Sequence, residues 1–183
     1  MKKISFSILF ALLGLTSCET LSEATKIEMP LPASTVTIPA TPIATPAATP
    51  LAISVSDIPT NVGTFFSTNG ISTDLVQSIT LKKMELTITS PTTSDVSFDF
   101  IKTIEVSIGA TGLNDVKVAT ITTAPTDGSK TLSLNVESTD LKQYIVNDKI
   151  SFKFKIATAK PTSVPYTVDI KPTFLVDFKI LGL

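Results

Sequence analysis

From Ala52 onward, hydrophobic and polar residues alternate with a period of two. Met84, Leu86 and Ile88 alternate with Lys83, Glu85, Thr87 and Thr89; Ile104, Val106 and Ile108 alternate with Thr103, Glu105 and Ser107. Leu132, Leu134 and Val136 repeat the pattern, as do Ile150, Phe152, Phe154 and Ile156, and finally Val168, Ile170, Phe174, Val176, Phe178 and Ile180. This period puts successive side chains on opposite faces of a strand, so each run predicts a strand with one dry and one wet face. Pro172 interrupts the last run, which predicts an edge strand or a bulge. Strands of this kind are satisfied by two antiparallel sheets packed face to face. The expected fold class is all-β: a single antiparallel β-sandwich, immunoglobulin-like or jelly-roll-like, over residues 51–183.

Two short helical turns punctuate the strands and share a sequence. Ser72-Thr73-Asp74-Leu75-Val76-Gln77 recurs as Ser138-Thr139-Asp140-Leu141-Lys142-Gln143. In each copy the aspartate is placed to cap the first turn while the glutamine three residues on reaches back. An alternating strand and then a Pro-Thr turn follow each copy, Pro91-Thr92 in one half and Pro161-Thr162 in the other. Two readings stand: an internal duplication, or chance recurrence of a good capping sequence. Duplication predicts a two-fold relation between the sheets, with Asp74 and Asp140 at equivalent corners.

The first residues follow a different logic. Lys2 and Lys3 form a basic start, Ile4 to Leu15 an apolar run, and Thr16 and Ser17 a small-residue site before Cys18, the single cysteine. A spanning helix needs ~20 apolar residues, so this run is too short to serve as one. Leu15-Thr16-Ser17-Cys18 resembles the lipobox of bacterial lipoproteins. That resemblance implies cleavage after Ser17, lipid on Cys18, and signal-peptidase recognition through Leu15, Thr16 and Ser17. The alternatives are an ordinary secretory signal with a chance cysteine, or a membrane-buried N-terminus. Two or more acyl chains anchor stably where one does not, so the expected partner is a membrane held through the lipid. Glu19 is not the aspartate that tends to retain enterobacterial lipoproteins in the inner membrane, which favours the outer membrane, on either its periplasmic or its surface face.

Residues 1–17 are thus expected to be the signal peptide and 18–50 the lipidated cysteine and its tether. Pro30 to Pro50 reads PLPASTVTIPATPIATPAATP, without a charge. Proline removes backbone donors and favours extended polyproline structure, so the stretch predicts a semi-rigid spacer. The rival reading takes Ser34 to Ile38 as a first strand, because Val36 and Ile38 alternate with threonines.

Composition mainly excludes. Hydrophobic residues make up 43% and charged residues 17%, enough to bury a core. Against 16 Asp+Glu stand 15 Lys+Arg, all of them lysine; loss of Lys2 and Lys3 leaves 13 against 16. Such mild acidity offers no footprint for nucleic acid. With Cys18 lipidated no thiol remains for a disulfide, so stability must come from packing. The absence of histidine removes the commonest general base and nearly all zinc sites. No G-x-S-x-G or P-loop occurs, and neither a metal nor another cofactor is expected. Asp95 with Asp99, and Asp169 with Asp177, are the nearest carboxylate pairs that a glycosidase could use. Turn chemistry and a solvated strand face account for them more simply. The same holds for Asn114-Asp115 and Asp127-Gly128 as calcium ligands, because no D-x-D-x-D spacing is present.

Binding leaves a fainter trace. Phe65-Phe66, flanked by Gly63 and Asn69-Gly70, lies on what reads as an extended segment, where neighbours point to opposite faces. One ring would then be an apolar contact for a partner; alternatively both enter the core through a folded loop. Tyr144 is expected to close one end of the core. A glycan-binding sandwich generally presents an aromatic platform, and the absence of tryptophan counts against one here.

Leu81-Lys82-Lys83-Met84-Glu85-Leu86-Thr87-Ile88, the run from Phe98 to Ile108, and Thr139-Asp140-Leu141-Lys142-Gln143-Tyr144 together resemble a group of short uncharacterised lipoproteins of Bacteroidetes-type bacteria. The resemblance covers roughly Ser72 to Ile180. It implies a sandwich lipoprotein and carries no activity or site residues. The functional expectation is a membrane-anchored lipoprotein acting as a non-catalytic binding or envelope-structural module. The alternatives are a glycan-directed accessory protein, or a carboxylate-based hydrolase of the envelope.

Overall fold

The computed structural model describes residues 25–43, 49–93, 95–123 and 125–179. They form two antiparallel sheets packed face to face. The first contains β1 (Lys26–Pro30), β2 (Ser34–Ile38), β4 (Val76–Ser90), β7 (Thr131–Ser133) and β10 (Tyr166–Phe178). In it β10 pairs with both β1 and β2 on one side and with β4 on the other, and β7 closes the far edge. The second sheet has the order β3 (Leu51–Pro59), β9 (Lys149–Thr158), β5 (Ile101–Gly109), β6 (Val116–Ile121) and β8 (Asn135–Val136). Helix α1 (Val62–Thr68), helix α2 (Lys142–Ile145) and 3-10 turns at Thr73–Leu75 and Phe98–Phe100 complete the structure.

The alternating runs are the strands. Met84, Leu86 and Ile88 of β4, Ile104, Val106 and Ile108 of β5, Ile150, Phe152, Phe154 and Ile156 of β9, and Val168, Ile170, Phe174 and Val176 of β10 all lie between the sheets. Each such side chain contributes ~1.5–3 kcal/mol through burial. A surface ion pair adds at most ~1 kcal/mol, so the fold rests on packing. Two positions differ from the pattern: Val136 is exposed and Phe178 is half-buried. Ile180 lies outside the described residues.

The long pairing of β4 with β10 is interrupted by bulges, and these reset the alternation. Leu81 pairs with Phe174 and Lys83 with Thr173, leaving Lys82 as the extra residue; Gln77 is extra in the same way between Val76 and Ser78. An extra residue shifts the side-chain phase by one. Val76, Ile79, Leu81 and Met84 therefore all face inward despite three-residue steps between some of them.

Of the two readings of Pro30 to Pro50, the strand over Ser34–Ile38 holds and the spacer does not there, and a further strand, β1, lies just before it in the expected tether. Lys26–Pro30 pairs with residues 173–177 of β10, and Ser34–Ile38 with residues 166–170. Met29, Leu31, Val36 and Ile38 are buried. Their apolar side chains complete the edge of the first sheet, so the sandwich begins at β1 and not at residue 51. Of the two expectations for Pro172, the edge strand fails, since β10 has partners on both sides, and the bulge is found next to it, between Thr173 and Phe174.

The strand order contains a two-fold exchange. Replacing β2, β3, β4 and β5 by β6, β7, β9 and β10, and the reverse, turns β2-β10-β4-β7 into β6-β5-β9-β3, which is the second sheet read from its other side. With the short edge strands β1 and β8 left aside, each half crosses between sheets at every step, the pattern that the duplication reading expects.

This topology separates two poles. At the near pole, Phe178 pairs with Val76, its amide donates to the Thr25 carbonyl, and the Lys179 amide donates to Leu75. The start of β9, the end of β5, α2 and the 3-10 turn at Thr73–Leu75 belong to this end, whereas α1 lies beside the β1–β2 junction, about midway along β10. At the far pole, the four loops that follow β2, β4, β6 and β9 gather. Thr41 and Thr162 bond through backbone and hydroxyl groups at 2.8–3.1 Å, tying two of these loops; the Phe98 amide donating to Ser129 at 3.0 Å ties the other two.

Candidate functional site

Two surface depressions stand out, one on the second sheet and one at the edge of the first. The first is a polar cleft of about 270 Å³ at its near end, lined by β3, β5, β9 and the loop 110–115. Its floor is built by an unusual backbone. A bulge between Val55 and Ile58 holds Asp57 at φ 59°, in the left-handed region that a non-glycine residue seldom adopts. Across the cleft Gly109 pairs with Ser151. A Cβ at Gly109 would lie 2.5 Å from Asp115 Oδ1, so only glycine lets that carboxylate rest against the strand.

The charges of the cleft are matched. Lys149 Nζ lies 3.1 Å from Asp57 Oδ1, and Lys153 Nζ lies 2.6 Å from Asp115 Oδ2. Farther along the same face Lys155 donates to Glu105 at 2.8 Å, and this carboxylate holds the ammonium above its usual range. Lysines along β9 thus meet carboxylates of neighbouring elements in a ladder with no single sign of charge.

The second depression is an apolar groove of about 390 Å³ between the β1–β2 junction and α1, lined by Met29, Pro30, Leu31, Pro32, Thr64 and Phe65 among others. It is where the expected contact residues fall, with a changed geometry. Phe65 and Phe66 lie on a helix, not on an extended segment. Phe66 is in the core and Phe65 is half-buried at the groove, their ring centroids 6.1 Å apart. Asn61, at φ 52°, turns the chain into this helix, and its carbonyl accepts the Phe65 amide.

The other sequence candidates are dispersed. Cys18, Leu15, Thr16 and Ser17 lie outside the described residues. Asp169 and Asp177 share β10, eight residues or ~27 Å apart along the strand. That exceeds the ~5–9.5 Å at which glycosidase carboxyls cooperate. Each instead accepts from a threonine hydroxyl on the β1–β2 side of the strand, Thr35 of β2 and Thr25 just before β1 respectively. Asp99 accepts the Gly128 amide, and Asp95 is held below its usual carboxylate range by the Thr93 hydroxyl. Asp115 belongs to the cleft, and Asp127 accepts the Ser129 amide. Tyr144 is buried and donates to the Asn114 carbonyl at 2.7 Å. Tyr166 stacks on Phe100 at 4.5 Å, an internal use of its ring.

Among the described residues, no group of three or more His, Cys, Asp or Glu side chains is placed to hold a metal ion, and no helix is long and apolar enough to cross a membrane. The polar cleft was not legible in advance because its parts come from positions as distant as 57 and 153; the glycine at 109 was its one local mark. In comparisons with known proteins, no family model and no curated sequence matches this chain.

Proposed function

We propose that the protein is a lipid-anchored, non-catalytic module of the bacterial outer membrane that binds a partner or supports the envelope. The observation that carries the non-catalytic half is the pairing of both cleft carboxylates with lysines, Asp57 with Lys149 and Asp115 with Lys153. An acid–base pair needs one carboxyl held protonated near neutral pH by an apolar site or a like charge. These two carboxylates are exposed, and each faces a lysine ammonium and not an apolar wall. The anchoring half is supported by the run Leu15-Thr16-Ser17-Cys18.

Two measurements test the reading. Mass spectrometry of protein from its native host should find an N-terminal Cys18 carrying acyl chains, and Cys18→Ala should move the protein out of the membrane fraction. An unacylated thiol or an uncut leader would overturn the anchor. Purified protein should leave envelope glycans intact; cleavage that disappears in Asp57→Asn or Asp115→Asn would overturn the non-catalytic assignment.

A further inference from the structure

Thr25 follows Cys18 by only seven residues, and it already belongs to the fold, its carbonyl accepting the Phe178 amide at 3.0 Å. Seven residues span at most ~25 Å. The 15 residues of β4, by contrast, run from the near pole towards the far pole over ~50 Å. We propose that the near pole is a membrane-docking surface: it rests on the headgroups of the bilayer that holds Cys18, and the far-pole loops point away. This inference rests on the lipid anchor proposed above and adds which face of the domain the lipid meets.

Three features of the molecule argue for it. The tether ends at the near pole, beside Leu75, Val76 and Phe178, so lipid on Cys18 brings that end to the surface first. Apolar side chains are available there: Leu75 and Phe178 are half-buried, and Val146, at the end of α2, is 39% exposed. The broad outer faces of the sheets, in contrast, carry Lys83, Glu85 and Lys171 on one side and Lys153, Lys155 and Glu105 on the other, and gain nothing from contact with lipid. The charges of the near pole are mixed, with Lys26, Lys142, Lys149 and Lys179 set among Asp57, Asp74, Asp140, Asp148 and Asp177. Such a surface fits zwitterionic headgroups and does not need an anionic bilayer.

The chain contains no tryptophan, so single tryptophans make clean distance probes. Full-length lipidated protein carrying Val146→Trp, Val164→Trp or Thr64→Trp is reconstituted in phosphatidylethanolamine–phosphatidylcholine vesicles with a dansyl label on a fraction of the headgroups. Val146 marks the near pole, Val164 the far pole and Thr64 the groove edge; Val146 and Val164 are exposed, so each substitution is tolerated. Energy transfer should be at least five-fold stronger from position 146 than from 164, with 64 between them, and 0.5 M salt should change this little. Equal transfer from both poles, or the strongest transfer from position 64, would mean that the domain lies on its side and would overturn the inference. Protein that fails to float with the vesicles would instead overturn the anchor. Flotation is read separately, so the two failures are told apart.

Discussion

The Leu31 amide donates to the Pro172 carbonyl at 3.2 Å, in the gap between the end of β1 at Pro30 and the start of β2 at Ser34. In an antiparallel strand the N–H and C=O of one residue point to the same neighbour. The donor that Pro172 lacks would therefore have pointed into this gap. On its other side Pro172 pairs with Met84, which turns its own carbonyl away, to the Leu134 amide. A proline is thus accommodated in a strand flanked on both sides, because one flank changes partner at that residue.

That gap separates two short strands whose burial makes residues 26–38 part of the core. Met29→Ala or Ile38→Ala should each destabilise the domain by about 2–5 kcal/mol, the usual cost of truncating a large buried side chain. Urea denaturation monitored by circular dichroism checks this. A free spacer at these positions would leave the midpoint unchanged. Limited proteolysis should likewise spare residues 26–38 in the folded protein.

Gly109 and Asp115 form a second coupled pair. Gly109→Ala would put a Cβ 2.5 Å from Asp115 Oδ1, so the carboxylate must swing away and give up its 2.6 Å contact with Lys153. The ion pair itself is worth at most ~1 kcal/mol at this exposure. With the Ser151 hydroxyl, which the same Cβ would meet at 3.0 Å, also pushed aside, a total loss of about 1–2 kcal/mol is expected. Asp115→Ala should cost less than that, and adding it to Gly109→Ala should recover most of the loss. A double-mutant cycle by denaturation measures the coupling; additive effects would show that the two residues do not press on each other.

The strands that alternate without interruption, β5 and β9 above all, were legible because burial on one face leaves a period of two in the sequence. β4 was legible only from Met84 onward. Its bulges at Gln77 and Lys82 break the period, so Ile79 and Leu81 looked out of phase although they face the same core. Over Ser34–Ile38 the rival strand reading holds against the spacer: proline and threonine serve a spacer and a five-residue strand equally well, and what separates them is whether Leu31, Val36 and Ile38 find a partner sheet. Phe65-Phe66 carries no local mark of a helix: it is flanked by Gly63 and Asn69-Gly70, and glycine is a poor helix former. Packing of Val62 and Phe66 into the core overrides that local preference.

Tyr144, within α2, is buried at the near end of the core, and its hydroxyl bridges to the loop 110–115. Tyr144→Phe keeps the ring and removes the 2.7 Å bond to the Asn114 carbonyl. A loss of about 0.5–1.5 kcal/mol follows from the hydrogen bond alone. Hydrogen exchange should show faster opening of loop 110–115 in the variant, with the protection of β9 unchanged.

The two copies of Ser-Thr-Asp-Leu use their aspartates differently. Asp140 Oδ1 accepts from both the Lys142 and Ile79 amides at 3.0 Å, tying α2 to β4. Asp74 instead accepts from the Ser72 hydroxyl, on a 3-10 turn. Asp140→Ala should therefore cost about 1–2 kcal/mol, in the range of a lost cap, and Asp140→Asn, which keeps an acceptor oxygen, clearly less. The thermal midpoints of these two variants, set beside that of Asp74→Ala, should place Asp140→Ala lowest. Equal midpoints for the two alanine variants would mean that the repeat is functionally as well as sequentially alike.

Asp74 has its own signature, in pH. The Ser72 hydroxyl first, then its own backbone amide and the nearby Lys142 ammonium, hold the carboxyl below its ordinary value of 3.8. A group whose folded pKa is depressed contributes stability that is present above its unfolded pKa and is lost as pH falls through the folded one. The gap in urea midpoint between the parent protein and Asp74→Asn should therefore be the same at pH 7 and pH 5 and should close as pH falls below 3.8. Asp95, depressed by Thr93, titrates in the same range but is common to both proteins, so it drops out of the difference. A gap that stays constant down to pH 2 would show that the Ser72 bond does not discriminate between the two charge states of Asp74.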